Sequence, residues 1–348
     1  MDSTQRTDQA ALTSLAASGE IAAAAELARL DGRLGIDTEF MSEGRYRALL
    51  CLSQVAVKDP EAPSGIRTIL IDGLDAGIDI DPLARLLADP AIEIVLHAGR
   101  QDVAILRRAW HTEVTHIFDT QIAAGFAGES AQSGYGNLIG SILGLRVGKT
   151  ASYTRWDVRP LTPEQLSYAA EDVAHLLALA DELQGRLRGS GREQWAFEEC
   201  RRLESATDER DPETAWERLP RVAQLDPRSR AVARALGAWR ERVASSEDRP
   251  VGSIIQDAPL VEIAKRHPAD FSSIAQIRGV HQSEIRQRIV GTMALLCSEM
   301  GMRVVAEGVE VAEERDTARR LGCELFQGYL FARPGPPFPG IEGGLVGF

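Results

Sequence analysis

The chain of 348 residues lacks the long apolar runs and the cysteine pairs that define several classes of protein. No segment approaches the roughly 18 consecutive apolar residues of a transmembrane helix, so the sequence predicts no membrane span. The first nine residues are polar and of mixed charge, unlike a secretory signal. Four cysteines are far apart and form no C-x-x-C pair: Cys51, Cys200, Cys297 and Cys323. This spacing argues against a disulfide scaffold or a cysteine zinc site and predicts a cytoplasmic protein.

Positive charge is scarce overall, but it is unevenly distributed. The net charge is −12, yet residues 219–288 contain 12 Lys and Arg against 8 Asp and Glu. Residues 1–185 contain 15 Lys and Arg against 26 Asp and Glu. This asymmetry indicates a basic module that binds an anion. The acidic part is compatible with a phosphate ligand if some of its carboxylates carry metal ions.

The first half of the chain has the pattern of a mixed α/β sheet. Strands are predicted at residues 33–40, 48–57, 67–72, 92–97 and 115–119. Helices are predicted at residues 11–30, from residue 81, at residues 99–110, and over the rest that follows the fifth strand, to about residue 187. Within that remainder, Thr162, Pro163 and Gln165 predict a helix start with a capping box.

The second half begins with a predicted helical linker at residues 188–215. Residues 216–288 are predicted to form short helices interrupted by proline, which is typical of a small all-α bundle. Beyond residue 289 the pattern changes to alternating short helices and strands, and residues 334–348 are rich in Gly and Pro.

Two acidic residues interrupt the first predicted strand. Asp37 and Glu39 lie two positions apart, so their side chains share one face of the strand and repel each other. Acidic residues are disfavoured in strands, and a cation between the pair would stabilise it. The alternative is an edge strand with a solvated acidic face.

Two further candidate carboxylates, Asp102 and Asp172, lie on predicted helices. Asp102 lies in the first turn of a helix after His97-Ala98-Gly99, although an Asp there is also favourable for the helix dipole. Asp119, at the end of the fifth strand, is a rival candidate. Tyr168 and Asp172 are four residues apart and therefore share one helix face; the alternative is an ordinary amphipathic helix.

Together these residues supply hard oxygen ligands of the kind that suit Mg²⁺ or Mn²⁺. Two such ions can bind the attacking and leaving oxygens of a phosphodiester. A phenol on the same face as one ligand could orient the attacking water.

At this point the chain resembles the DEDD superfamily of 3′→5′ exonucleases. The resemblance rests on three segments, 35–40, 97–102 and 168–172, and residues 156–161 and 168–173 make it specific to the ribonuclease D family. It implies an RNase H-like fold in residues 1–187 and two-metal hydrolysis that releases 5′-mononucleotides. It places metal ligands at Asp37, Glu39, Asp102 and Asp172, prefers Asp102 to Asp119, and assigns the water-orienting phenol to Tyr168.

Residues 216–288 resemble an HRDC domain, the helical bundle that follows the nuclease in ribonuclease D. Gly279 before a new helix leaves backbone N–H groups that could meet a phosphate. Arg278, His281, Arg286 and Arg288 would surround it; the alternative is a structural helix hairpin with solvated arginines. Binding through this basic module should be sensitive to salt.

Residues 289–348 resemble the C-terminal end of an EAL domain, a cyclic-di-GMP phosphodiesterase on a TIM-like barrel. Glu307 and Gln327 match glutamate and glutamine positions of that family. The match covers only a truncated fragment, and two strands cannot close an eight-stranded barrel. We therefore expect no hydrolysis of cyclic-di-GMP.

The resemblance leads to one main expectation and three alternatives. The chain is expected to be an exoribonuclease that trims structured RNA, such as the 3′ ends of tRNA precursors, with two Mg²⁺ or Mn²⁺ ions. One alternative is a DNA 3′→5′ exonuclease of the same superfamily, with single-stranded DNA as substrate. The others are a non-catalytic nucleic-acid-binding protein and a regulator that senses a nucleotide through its C-terminal segment.

Overall fold

The computed structural model describes residues 14–145, 155–268, 273–274, 276–280, 289, 291–292, 294, 298 and 303–331. The chain divides into two compact units. The first comprises Met1–Glu43 with Ala48–Asp208, and the second comprises Gly44–Arg47 with Glu209–Phe348. The finer domain boundaries expected from the sequence stay a prediction.

The first unit contains a five-stranded mixed sheet. Its strands are β1 (Arg33–Met41), β2 (Leu49–Lys58), β3 (Ile66–Asp72), β4 (Glu93–Leu96) and β5 (Ile117–Asp119). The spatial order is β3-β2-β1-β4-β5. The three strands from β1 to β3 pair antiparallel, whereas β4 lies parallel to both β1 and β5. The central strand β1 therefore carries the acidic pair between an antiparallel and a parallel neighbour.

The helices of the first unit pack on this sheet. They are α1 (Ser18–Asp31), α2 (Asp81–Leu87), α3 (Arg100–Ala109), α4 (Thr120–Phe126), α5 (Tyr135–Leu138), α6 (Pro163–Ala174), α7 (Leu176–Ser190) and α8 (Glu193–Arg201). A π-helical turn, Ile139–Leu143, continues α5, and a 3₁₀ turn, Arg202–Ser205, follows α8. Helix α6 packs on β1, β2 and β3, which places its residues above the acidic strand.

The core of this unit consists of apolar residues from the strands and from the helices that pack on them. Strand β2 is buried at every position from residue 50 to residue 57, as expected of a strand with helices on both sides. Leu34, Ile36 and Ile94 lie in one cluster with α1 and α3. Val95 and Phe118 lie in another with α7 and α8.

The second unit is helical before residue 268. It contains α9 (Pro227–Ser246), α10 (Val251–Ile254) and α11 (Asp257–Arg266), with 3₁₀ turns at Ala215–Arg218 and Val222–Gln224. Helix α9 begins at Asp226, whose carboxylate accepts hydrogen bonds from the N–H groups of Arg228 and Ser229. The small segment Gly44–Arg47 contributes Tyr46 to the apolar cluster of this unit.

The C-terminal part of the second unit contains a minimal parallel sheet. Strands β6 (Val305–Ala306) and β7 (Leu325–Phe326) pair on either side of α12 (Ala312–Arg320). Buried Ala318 and Cys323 belong to a small cluster that partly buried Phe326 packs against.

All five strand predictions in the first unit are confirmed, with bounds that differ by at most a few residues. The capping box is also confirmed, since Thr162 Oγ1 accepts from the N–H of Gln165 at 3.2 Å and Gln165 accepts from the N–H of Thr162 at 3.0 Å. The prediction that the rest of this part is helical is wrong at residues 127–134 and 155–162, which form turns and loops. In the turn after α4, Gly128 has a φ of 96°, a backbone conformation that favours glycine. None of the helices in the described ranges has the length and composition needed to cross a bilayer.

Candidate active site

The acidic pair lies on β1 where that strand passes under α6. Asp37 and Glu39 are partly buried, and they share one face of the strand as their spacing predicts. The pairing with β2 shifts register between Glu39 and Phe40, so the regular ladder ends just beyond the pair. A β-bulge at this place redirects the strand next to the acidic side chains.

Asp102 approaches the same strand from α3. This helix begins after Gly99, and a Cβ atom at Gly99 would lie 2.8 Å from Leu96 Cβ, so only glycine fits the turn. The Asp102 side chain is buried, and its carboxylate accepts a hydrogen bond from the hydroxyl of Thr38. Thr38 stands between the two acidic residues of β1, so this bond ties the helix to the acidic strand.

Asp119 has a different role. Its carboxylate accepts a hydrogen bond from the N–H of Gly99 at 2.8 Å and from that of Gln121 at 2.8 Å. Two longer bonds come from Ala98 at 3.2 Å and Ile122 at 3.1 Å. The residue is 1% exposed and caps α4. Because backbone groups occupy its oxygens, Asp119 holds the turn that starts α3 rather than offering a ligand.

Helix α6 brings the phenol and the fourth carboxylate together. Tyr168 and Asp172 face the same side of the helix, and their side chains are hydrogen-bonded to each other. This confirms the spacing argument for a shared face. The five side chains expected to act together therefore come from β1, α3 and α6.

Burial raises the pKa of all four carboxylates, and neighbouring acidic residues raise these pKa values further. Burial raises the pKa of Asp37 well above its usual range, and the charges of Asp102 and Asp172 raise it further. Burial, followed by the charges of Asp172 and Asp102, raises the pKa of Glu39 to about 8. Burial also raises the pKa of Asp172 to about 7, against the opposing effect of the Tyr168 hydrogen bond. Raised pKa values of this kind are expected of partly buried carboxylates that lie near other acidic groups and have no positive charge beside them.

A divalent cation fits this donor set. Among the described residues, no arginine or lysine forms an ion pair with any of the four carboxylates. Over the same ranges, no three acidic, His or Cys side chains form a ready-made metal cage. Mg²⁺ does not need one, because it keeps several waters and takes further ligands from substrate phosphates. The residues thus suit a hard cation that shares its coordination with water and substrate.

A buried tryptophan supports the phenol. The Trp156 ring lies 6.1 Å from the Tyr168 ring, centroid to centroid, and is 3% exposed. Arg159 donates to the Trp156 carbonyl at 2.7 Å and to the Cys51 carbonyl on β2 at 2.8 Å. The same guanidinium forms an ion pair with Asp72 at the end of β3. These contacts anchor the loop before α6 to the sheet and thereby position Tyr168.

A second tyrosine lies beside the site and has no counterpart among the sequence predictions. The Tyr135 hydroxyl accepts a hydrogen bond from the N–H of His175 at 3.2 Å, where α6 meets α7. Burial raises its pKa, as do the nearby charges of Asp172 and Asp37. The His97 ring lies 5.6 Å from the Tyr135 ring and also contacts Thr120 Oγ1 at 2.9 Å. No local pattern around Tyr135 signals this position, since it depends on contacts far apart in the sequence.

The predicted nucleic-acid contacts of the second unit are described only in part. Arg278 and Gly279 are exposed, whereas His281 and Arg286, together with Arg288, lie outside the described residues. Gly279 has a φ of 95°, and a Cβ atom there would lie 2.7 Å from Pro259 Cγ. The glycine is therefore required by the packing of α11 independently of any ligand.

Three protein families match successive parts of the chain, in the order in which the sequence motifs occur. Residues 9–188 match the family described as 3′-5′ exonuclease. Residues 229–296 match the HRDC domain, and residues 273–334 match the EAL domain. The first match covers more than half of the chain.

Individual relatives extend over most of the chain. The chain is 40% identical to ribonuclease D of Gluconacetobacter diazotrophicus over 73% of its length, and 38% identical to ribonuclease D of Granulibacter bethesdensis over 82%. It spans 63% of the first relative, less than two thirds, and 71% of the second.

A solved structure is similar to most of this chain. Escherichia coli RNase D, described as an exoribonuclease involved in structured RNA processing, matches with a TM-score of 0.73 and 30% identity. The match covers 83% of this chain and 75% of that one. This likeness confirms the expected fold class, a mixed α/β nuclease fold with a helical HRDC region.

Proposed function

This chain belongs to the ribonuclease D family, and we propose that it is a metal-dependent 3′→5′ exoribonuclease that acts on structured RNA. The observation that carries the proposal is the meeting of Asp37, Glu39, Asp102 and Asp172 around one end of β1, with Tyr168 bonded to Asp172. Family membership supports the reaction class, and the uncompensated carboxylates support the need for a divalent cation.

We assign the four carboxylates as ligands for two divalent cations, Mg²⁺ or Mn²⁺. Such a pair of ions supplies an activated water and neutralises charge on the scissile phosphate and its departing 3′ oxygen. Asp37 and Glu39 present their oxygens from a rigid strand. Asp102 is held by Thr38, so its free oxygen keeps a fixed direction. The ligands are thus pre-positioned before a substrate arrives.

Tyr168 is the residue that we assign to orient the attacking water. Burial raises its pKa, followed by the charges of Asp172 and Glu39, so the phenol remains protonated at neutral pH. A protonated phenol can donate to a water or accept from it, but it cannot act as a base. The hydrogen bond to Asp172 keeps the hydroxyl near the carboxylates, and the Trp156 ring packs beside the phenol.

We propose RNA as the substrate, because the relatives named ribonuclease D match over most of this chain. The finer proposal is trimming at the 3′ ends of tRNA precursors. Exposed Arg278 and the backbone at Gly279 would add a phosphate contact from the HRDC region, together with His281 and Arg286. We propose no cyclic-di-GMP hydrolysis by the EAL-like segment.

A time course on one 5′-labelled RNA and a DNA of the same sequence tests the proposal. Each substrate is incubated with Mg²⁺, Mn²⁺ or EDTA, using wild type, Asp37→Asn and the control Glu61→Gln. Glu61 is an exposed carboxylate outside the site, so its variant removes the same charge without touching the ligands. We expect a ladder that shortens from the 3′ end, requires the cation, is faster on RNA, and is lost only in Asp37→Asn.

Other results would redirect or remove the assignment. A faster ladder on DNA would favour a DNA 3′→5′ exonuclease of the same superfamily. No cleavage of either substrate by a folded wild-type protein would favour a non-catalytic binder. Near-normal activity of Asp37→Asn would show that the metal ligands are wrongly assigned.

A further inference from the structure

A buried glutamine on β2 has a side-chain amide that no other group of the described fold satisfies. Gln54 is 0% exposed, and neither its amide nitrogen nor its amide oxygen has a hydrogen-bond partner within the described ranges. Burying an unpaired amide costs free energy, so buried polar groups in proteins are almost always paired. An unpaired amide at this buried position therefore calls for a partner.

The sheet register shows where that partner lies. Gln54 stands directly opposite Asp37 on β1 and opposite Leu70 on β3. Residues directly opposite in an antiparallel pair project to the same face, with Cβ atoms about 5 Å apart. On its own strand the same-face neighbours are Leu52 and Ala56. Of these four neighbours, Asp37 alone is polar.

The same face is covered by apolar residues of α6. Leu52 and Leu70 belong to a buried cluster with Leu166, Ala169 and Ala170. These side chains cannot accept or donate a hydrogen bond. The Gln54 amide therefore has apolar neighbours on the helix side, and the polar side chain directly opposite it is Asp37 on β1.

We infer that Gln54 is a positioning residue that donates its amide N–H to the Asp37 carboxylate when that carboxylate holds a cation. The inference rests on the proposed function. A carboxylate that binds a cation through one lone pair still has others to be satisfied, and a donor there fixes its orientation. Partners of this kind typically change metal affinity or activity about 10–100-fold when they are removed.

The variant Gln54→Met separates this role from simple core filling. Methionine is unbranched and close to glutamine in size, so it fills the same space without an amide. The control is Gln165→Met. Gln165 is also buried, but its oxygen accepts a bond in the capping box of α6, two turns before Asp172. The two variants make the same chemical change to an unpaired and a paired amide.

Two readouts decide the matter, and the first does not require activity. Thermal unfolding is followed in EDTA and over a titration with Mg²⁺ alone. We expect Gln54→Met to unfold in EDTA at a temperature equal to or about 2–4 °C above wild type, since it removes an unpaired buried amide. Its half-saturating Mg²⁺ concentration should be about tenfold higher. Gln165→Met should show the reverse: a lower unfolding temperature and an unchanged half-saturating concentration.

The second readout is the kinetics of RNA degradation. We expect Gln54→Met at fixed low Mg²⁺ to lower kcat about tenfold with little change in KM, because the defect concerns the cation rather than RNA binding. In the background of Asp37→Asn, adding Gln54→Met should cause no further loss of Mg²⁺ affinity, because the amide acts through Asp37.

Each outcome bears on a distinct claim. If Gln54→Met binds Mg²⁺ as wild type does, or is destabilised or unfolded in EDTA, the amide serves the fold and the inference is wrong. An equal further loss in the Asp37→Asn background would also overturn it. If wild type itself shows no stabilisation by Mg²⁺ and no RNA degradation, the proposed function fails, and the inference fails with it.

Discussion

The acidic end of β1 and the carboxyl end of β5 use buried aspartates in opposite ways. At β5, Asp119 is 1% exposed, and four backbone N–H groups bond to its carboxylate. At β1, Asp37 and Glu39 have other carboxylates as their neighbours, and the pKa of each is raised. A carboxylate whose oxygens accept hydrogen bonds stabilises the fold, whereas a carboxylate that is repelled by its neighbours is stabilised when a cation binds. The comparison separates structural from functional acids without reference to sequence position.

Asp37→Asn should produce the largest effect on turnover. The proposed cation would stabilise the developing negative charge of the transition state by several kcal/mol. Removing one of its ligands should therefore lower kcat by about 10³-fold or more. Unfolding by denaturant in EDTA should show equal or higher stability than wild type, because a repulsive charge has been removed. A variant that is inactive but also strongly destabilised would contradict the distinction drawn between β1 and β5.

Asp119→Ala should show the opposite profile. It removes a helix cap and leaves buried N–H groups of the His97–Gly99 turn unpaired, so the free energy of unfolding should fall by about 3 kcal/mol. Denaturant unfolding in EDTA measures this loss. Mg²⁺ titration of the remaining folded protein should give a half-saturating concentration near that of wild type. A folded variant that no longer responds to Mg²⁺ would place Asp119 among the ligands.

Tyr168→Phe should slow the reaction without weakening cation binding. The phenyl ring keeps the contact with Trp156, but the hydroxyl that would orient the water is lost. We expect kcat to fall about 10²-fold, with the Mg²⁺ dependence of thermal unfolding unchanged. An undiminished rate would remove the proposed role of this phenol, and a parallel loss of Mg²⁺ response would assign it to the ligand set.

The raised pKa values of the β1 carboxylates should also cause the stability of the folded protein to depend on pH. Burial raises the pKa of Glu39 from 4.5 to about 8. Between these values the folded protein binds more protons than the unfolded chain, so stability in EDTA should fall as pH rises, by about 1 kcal/mol per pH unit. Glu39→Gln should reduce this slope without abolishing it, because the pKa values of Asp37 and Asp172 are raised as well. Saturating Mg²⁺ should also reduce the slope. Equal slopes for wild type and Glu39→Gln would contradict the assignment.

Local spacing rules predicted two pairs within the candidate site, whereas their grouping with Asp102 into one ligand set came from the family resemblance. A spacing of two residues on a strand puts Asp37 and Glu39 on one face. A spacing of four residues on a helix does the same for Tyr168 and Asp172. The family resemblance prefers Asp102 to Asp119, and the structure gives a physical reason, since backbone N–H groups occupy the Asp119 carboxylate. The loops at residues 127–134 and 155–162 were predicted as helix, because no helical periodicity test separates short loops from helix termini.

Two residues near the site were beyond local rules altogether. Gln54 acquires meaning only from the register of β2 against β1, and Tyr135 only from the packing of α5 on the junction of α6 and α7. Register depends on the whole apolar pattern of a sheet rather than on any one residue. Side chains that support a site through tertiary contacts are therefore the ones that sequence reasoning misses.

The smallest effect is expected in the second unit, where exposed Arg278 contrasts with the buried acids of the first. Arg278→Ala should weaken RNA binding only about threefold and reduce the slope of log affinity against log salt by about 1, because one phosphate contact is lost. Arg230→Ala, also exposed and in the same unit, is the charge-matched control. Binding is measured with Ca²⁺ or EDTA in place of Mg²⁺, across a series of salt concentrations. Equal losses in both variants would show general electrostatic attraction by the basic unit, whereas a loss confined to Arg278→Ala would support a phosphate contact beside Gly279.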